Sequence, residues 1–98
     1  MGEMSTVLQK FIEGVTKAIV DYPDDVEVTS QLSTKEIIIQ IRVNSEDCGK
    51  IIGKKGKTID SLKTICLAIK NTQFKNDSRR IILAVLEDEN STFSFKRL

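Results

Sequence analysis

Two glycines enclose two lysines near the middle of the chain, in the sequence Gly53-Lys54-Lys55-Gly56. Glycine permits sharp turns, and it has no Cβ to keep the backbone away from a ligand. A helical pattern begins at Lys57, and the unpaired N–H groups at the start of a helix favour an anion. These N–H groups and the two ammonium groups together predict a clamp for a phosphodiester backbone.

Positive charge is concentrated around this loop. Residues 50–80 contain nine Lys/Arg and two Asp/Glu, whereas residues 1–49 contain four Lys/Arg and nine Asp/Glu. Lysines that only solvate helix faces explain isolated charges, but not the cluster at the loop. A cluster of this kind is the electrostatic footprint of a nucleic-acid site. Its four lysines fall within eight positions: Lys50, Lys54, Lys55 and Lys57.

The tripeptide Gly-Lys-Thr at residues 56–58 also matches the end of a nucleotide-binding P-loop. That motif requires a glycine where Ile51 stands, and a strand must lead into the loop. Residues 45–50 instead predict a short helical turn capped by Ser45, so nucleotide hydrolysis is not expected.

Histidine and cysteine usage also argues against catalysis. The chain has no histidine, which excludes Ser-His and Cys-His catalytic pairs. Cys48 and Cys66 lack metal-ligand spacing and are predicted to be buried free thiols, as suits a reducing cytoplasm. We therefore expect a cytoplasmic protein that is not an enzyme and uses no metal or cofactor.

The elements before the loop can be read from the apolar pattern. Helical spacing predicts a first helix over residues 4–21, ended by Pro23. Alternating valines suggest an edge strand over residues 25–30. The β-branched run over residues 36–43 is apolar on both faces near its start, which is typical of a central strand.

The elements after the loop complete one small α+β domain over residues 1–89. A last strand is predicted over residues 80–87, and residues 90–98 are expected to form a mobile tail. The order is α-β-β-α-α-β. Strands 36–43 and 80–87 should pair in parallel, strand 25–30 should be antiparallel, and three helices should cover one face of the sheet. The helix after the loop has one apolar stripe: Ile59, Leu62, Ile65, Cys66 and Ile69.

The loop and its flanks resemble the signature of the KH domain, a module that binds single-stranded RNA. The signature positions are Ile51, Ile52, Gly53, Gly56, Ile59 and Leu62. The element order resembles the type II KH fold, with a three-stranded mixed sheet. The alternatives are a purely structural turn and a KH-fold protein-interaction module without RNA binding. The residues expected to bind RNA are Lys50, Ile52, Gly53, Lys54, Lys55, Gly56, Lys57 and Ile59.

Within KH proteins, the chain resembles the small bacterial single-KH family called KhpA. The first helix, the segment over residues 22–28 and the loop carry this resemblance. The resemblance implies a probable RNA chaperone that pairs with a larger, Jag-like KH protein, KhpB. It also implies a role in post-transcriptional regulation, cell length and peptidoglycan homeostasis.

No aromatic residue falls at the predicted groove, which favours weak binding by a single domain and a need for a second KH domain. Leu67 and Phe74 lie together off the apolar stripe of their helix. If both are exposed, they offer a twofold dimer surface or a partner surface. The alternative is that Phe74 packs beneath the connection to the last strand.

Overall fold

The computed structural model describes residues 3–87 and 92–93 of the chain. Three α-helices are present among these residues: α1 (Met4–Ile19), α2 (Cys48–Ile52) and α3 (Lys57–Gln73). The strands are β1 (Glu27–Leu32), β2 (Glu36–Val43), β3 (Arg80–Glu87) and β4 (Thr92–Phe93).

The first helix forms where the sequence predicts it, because its apolar residues recur every three or four positions. One face of α1 is buried through Met4, Leu8 and Ile12. The helix ends two residues before the predicted position, since Val20 already has an extended backbone. Pro23 then begins a short 3-10 turn, Pro23–Asp25, where its missing N–H costs no hydrogen bond.

The strands form one mixed sheet in the order β1-β2-β3-β4. β1 and β2 are antiparallel, with Val28 opposite Ile41. β2 and β3 are parallel, with Ile39 opposite Leu83. Both predicted pairings are confirmed, and the parallel pair requires the crossover that contains α2, the loop and α3.

The core lies on the helix-covered face of this sheet. Burial alternates strictly along β2, which places every second residue against the helices. Ile38 points to the opposite face and is only half-buried. The sequence therefore overestimated the burial of the second face of this central strand. The inward-facing residues of β2 are Ile37, Ile39, Ile41 and Val43.

This α-β-β-α-α-β arrangement confirms the predicted type II KH fold, to which β4 adds a two-residue strand beside β3. Of the predicted tail, Thr92–Phe93 form β4, and residues 90–91 and 94–98 lie outside the described residues. The domain boundary at residue 89 stays a prediction. Within the described part of the chain, no helix is long and apolar enough to span a membrane.

The apolar stripe of α3 is narrower than predicted. Ile59, Leu62 and Cys66 are buried, but Ile65 is 46% exposed. At 100° per residue, Ile65 points well away from the direction of Cys66, so it leaves the contact with the sheet. Burial raises the pKa of the Cys66 thiol to about 11, which keeps it protonated and unreactive at neutral pH.

Candidate nucleic-acid interface

The glycine loop is a sharp reversal between α2 and α3. Gly53 has φ 80° and ψ 173°, and Gly56 has φ 78° and ψ 13°. The Gly56 N–H donates to the Gly53 carbonyl at 3.1 Å and closes the turn. Both glycines thus occupy backbone conformations that other residues avoid, which explains their spacing in the sequence.

Gly53 is further required by its close approach to α3. A Cβ at this position would collide with Thr58 Oγ1 and would lie 2.7 Å from the Thr58 backbone nitrogen. A backbone nitrogen cannot move aside as the tip of a flexible side chain can. The first glycine therefore allows the loop to lie directly on the start of α3.

The two enclosed lysines project into solvent. Lys54 and Lys55 are exposed, and Lys55 is the one non-glycine residue with positive φ among the described residues, at 57°. A side chain in this left-handed conformation carries a steric cost, so the conformation persists only where the surrounding structure imposes it. Here the cost is incurred in a turn that exposes two consecutive lysines.

The start of α3 adds a second source of positive potential. Gly56 is its N-cap, and no side-chain hydrogen bond caps the helix there. The Lys57 N–H already donates to the Lys54 carbonyl. The helix dipole favours a negative charge beside the remaining N–H groups of the first turn. Lys57 is exposed in the same turn.

A buried carboxylate that the sequence did not reveal fixes the start of α2. Asp47 is fully buried, and its two oxygens accept the backbone N–H groups of Asp21 (3.1 Å) and Tyr22 (3.0 Å). Asp47 thereby ties the chain after α1 to the turn that leads into α2. The sequence did not indicate that Asp47 would be buried, because acidic residues near the start of a helix are common.

The cap of this turn is Asn44 and not Ser45 as predicted. The Asn44 side-chain oxygen accepts the Glu46 N–H at 2.9 Å, and its amide nitrogen donates to Asp25 Oδ2 at 3.0 Å. Asn and Ser are nearly equal as caps, so sequence alone could not choose between adjacent candidates. The additional partner at Asp25 accounts for the choice.

Lys50 has a different environment from the loop lysines. Its ammonium group lies 3.1 Å from Asp21 Oδ2 and 3.7 Å from Asp47 Oδ1. The hydrogen bond with Asp21 is the main cause that raises the pKa of Lys50. Two carboxylates therefore already balance this charge, and Lys50 helps to hold α2 in place more than it adds to the potential at the loop.

The aliphatic residues expected to form the floor of the groove separate into two layers. Ile52 is half-buried and retains exposed surface next to the loop. Ile59 is only 1% exposed, because it lies on the inward stripe of α3. Ile52 can therefore contact a base, whereas Ile59 supports the groove from beneath.

Comparison with known proteins agrees with this geometry. A family model described as KhpA/KhpB, KH domain matches residues 9–83. That match contains β1, β2, α2, the glycine loop and α3 in full, together with parts of α1 and β3. The chain belongs to the KhpA/KhpB family of KH domains.

The aligned region takes up most of the length of the relatives in this family. A protein of Leifsonia xyli subsp. xyli named RNA-binding protein KhpA is 39% identical over 74 residues, which are 76% of this chain and 90% of that protein. A protein of Aquifex aeolicus with the same name is 34% identical over 82 residues, which are 84% of this chain and 99% of that protein. No solved structure matches the chain.

Leu67 and Phe74, the two residues of the predicted dimer or partner surface, differ in their exposure. Leu67 is 37% exposed on α3. Phe74 is half-buried and packs against the core just after α3 ends. The two residues are therefore not both exposed, and Leu67 is the more exposed of the pair.

The arrangement supports electrostatic binding. Its functional groups are ammonium ions, backbone N–H groups and an aliphatic surface, which are the kinds of group that contact phosphates and bases. Among the described residues, no cluster of His, Cys, Asp or Glu could hold a metal ion.

Proposed function

We propose that this protein binds single-stranded RNA through the loop Gly53-Lys54-Lys55-Gly56. The observation that carries the proposal is the loop geometry, in which two positive-φ glycines present two exposed lysines beside an uncapped helix start. Relatives named as RNA-binding proteins support the same conclusion.

Each part of the site has a distinct role in this proposal. Lys54, Lys55 and the N–H groups at the start of α3 bind consecutive phosphates, and Lys57 adds charge beside them. Ile52 contacts bases, while Lys50 and Ile59 hold the surrounding structure. A KH loop of this type grips about four nucleotides.

Three aromatic residues whose side chains the structure describes lie away from the groove. Phe11 and Phe74 pack against the core, and Tyr22 lies in the turn after α1. Stacking on an aromatic ring is worth about 1–3 kcal/mol per base where it occurs. We therefore propose weak binding with little sequence preference, as an RNA chaperone requires.

The wider role that we propose follows from family resemblance. The protein acts in the cytoplasm as an RNA chaperone in post-transcriptional regulation, together with a larger KhpB-like KH protein. A second KH domain on the same RNA would raise the effective affinity without any new contact in either groove. Effects on cell length and peptidoglycan homeostasis would follow from the transcripts that the pair binds.

Single-stranded RNA should bind better than duplex RNA. The loop presents a narrow line of charge and an aliphatic floor for unpaired bases, and neither feature spans a duplex. Fluorescence anisotropy with a labelled 12-nucleotide RNA, competed by unlabelled single strand or by a hairpin of equal length, should show at least tenfold weaker competition by the hairpin. Equal competition would contradict binding through a groove for unpaired bases.

Self-association through α3 is a further prediction, with Leu67 as its main apolar contact. Sedimentation velocity over a range of concentrations should show a monomer–dimer equilibrium, and Leu67→Glu should shift it to monomer by burying a charge in the interface. Ile65→Glu tests the opposite side of the same helix. A protein that stays monomeric throughout, or a dimer lost only with Ile65→Glu, would refute this placement of the interface.

A further inference from the structure

The four lysines clustered at the glycine loop differ in whether they have an anionic partner. Among the described residues, no carboxylate forms an ion pair with Lys54, Lys55 or Lys57. Lys50 is paired instead, because its ammonium group lies 3.1 Å from Asp21 Oδ2. One cation beside the phosphate clamp is therefore neutralised before any phosphate binds.

Lys50 is placed to reach a strand that enters the loop. It lies three residues before Gly53, and the Gly53 N–H still donates to the Gly49 carbonyl of α2, at 2.8 Å. Helical spacing therefore extends to Gly53 and puts Lys50 on the same face of the helix, about 4.5 Å away along its axis. The side chain of Lys50 is 43% exposed. An ammonium group released at this position can therefore contact a phosphate that enters the loop.

The two carboxylates beside Lys50 are not equivalent. Asp47 is fully buried, and its oxygens already accept the backbone N–H groups of Asp21 and Tyr22. The side chain of Asp21 is 68% exposed, and Lys50 is the only partner of its carboxylate among the described residues. Exposed ion pairs contribute little to stability, so this pair can be opened or removed without loss of the fold. Asp21 therefore acts on the charge of Lys50, whereas Asp47 acts on the backbone.

We propose that Asp21 limits the affinity for RNA by occupying Lys50 as an internal substitute for a phosphate. While the pair is closed, Lys50 adds no phosphate contact, and the clamp depends on Lys54, Lys55 and the start of α3. A phosphate that engages Lys50 must displace the carboxylate, so one electrostatic contact is lost for the one gained. Asp21 is thus an affinity-determining residue that does not touch RNA. The inference rests on the proposed RNA binding and extends it with a cause for weak binding and ready release.

Removing the carboxylate should strengthen RNA binding. Asp21→Ala frees Lys50 for one further phosphate contact, which should raise the affinity for a 12-nucleotide single strand about two- to fivefold at 50 mM salt. The slope of log affinity against log salt should steepen by about 0.7. Between 50 and 200 mM salt, the variant should therefore lose about 2.6-fold more affinity than the parent loses. Anisotropy titrations at several salt concentrations measure both quantities.

A double variant tests whether the effect depends on Lys50. Asp21→Ala with Lys50→Gln removes both members of the pair, so it has no free ammonium group at this position, as in the parent. Its affinity and salt slope should therefore return to the parental values. A gain that persists without Lys50 would overturn the proposal. A loss of affinity in Asp21→Ala alone would also overturn it, because the ion pair would then support RNA binding and not limit it.

A matched control removes the same charge from a neighbouring position. Asp24 lies three residues after Asp21, exposed in the turn Pro23–Asp25. Asp24→Ala changes the net charge by the same amount, but it should keep the parental salt slope and raise the affinity only slightly, through the general potential of the protein. Equal gains in Asp21→Ala and Asp24→Ala would overturn the proposal, since net charge alone would account for them.

The outcomes separate this inference from the proposed function. If neither the parent nor Asp21→Ala binds single-stranded RNA, both are overturned. If the parent binds through Lys54 and Lys55 but Asp21→Ala keeps the parental affinity and salt slope, the role of Asp21 alone is overturned. Thermal unfolding is measured on the same samples. Should Asp21→Ala unfold, Asp21→Asn takes its place, because it removes the charge and keeps the shape of the side chain, with the same expected change in slope.

Discussion

Replacing Lys54 and Lys55 together by aspartate should reduce the affinity for single-stranded RNA on the order of a hundredfold or more. The variant loses two charge-assisted phosphate contacts and places two negative charges where phosphates bind. The fold should survive, because both side chains are exposed. Aspartate also tolerates the left-handed conformation at position 55 better than most residues do. Anisotropy titrations and thermal unfolding of the same samples measure the two effects separately.

The control for this variant is Lys10→Asp with Lys35→Asp, which makes the same change of charge at two exposed positions away from the loop. This control should lose only a small part of the affinity, through the general potential of the protein. Equal losses in both variants would show that net charge, and not the loop, governs binding. A loop variant that binds as well as the parent would contradict the proposed function.

Replacing Asp47 by alanine should have the largest effect on stability. The substitution leaves the N–H groups of Asp21 and Tyr22 without their acceptor and removes a carboxylate beside Lys50. Hydrogen bonds to a charged group contribute about 1.5–3 kcal/mol each, so a loss of about 3 kcal/mol in the free energy of unfolding is expected. For a domain of this size, the loss corresponds to a fall of about 12 to 24 °C in Tm.

Two companion variants make this prediction specific. Asp24→Ala removes a nearby exposed carboxylate in the turn after α1 and should change the stability by no more than about 0.5 kcal/mol. Asp47→Asn keeps one acceptor oxygen, so its loss in the free energy of unfolding should lie between those of Asp24→Ala and Asp47→Ala. If Asp47→Ala unfolds at the temperature of the parent, the buried carboxylate does not anchor α2 as the structure indicates.

Much of the fold was predictable because its signals are local in sequence. The period of α1, the β-branched run of β2 and the strand that forms β3 each follow from side-chain spacing alone. The parallel pairing of β2 with β3 then follows from the length of chain between them. The observed ends of the elements differ from the predicted ends by about two residues. Neighbouring residues can have nearly equal preferences for the N-cap position, as Asn44 and Ser45 do.

The glycine loop was predictable for the same reason. Gly53 and Gly56 are required by backbone conformation, and Lys54 and Lys55 are exposed because the turn contains them. Residues 53–56 therefore contain nearly everything that determines the geometry of the clamp, apart from the contact of Gly53 with Thr58. A four-residue motif of this kind can be recognised without knowledge of the tertiary structure.

Only the tertiary structure decided which neighbouring residues act with the loop. Lys50 and Ile59 belong to the same sequence cluster, yet Lys50 is paired with Asp21 and Ile59 is buried in the core. Asp47 contacts the backbone of a residue 26 positions away, and α3 packs against β3, which follows it in the chain. Such contacts depend on how elements distant in sequence pack, and the residue types alone do not encode that packing. The sequence by itself thus determined the phosphate clamp, whereas the packing of the helices on the sheet determined its anchor and its floor.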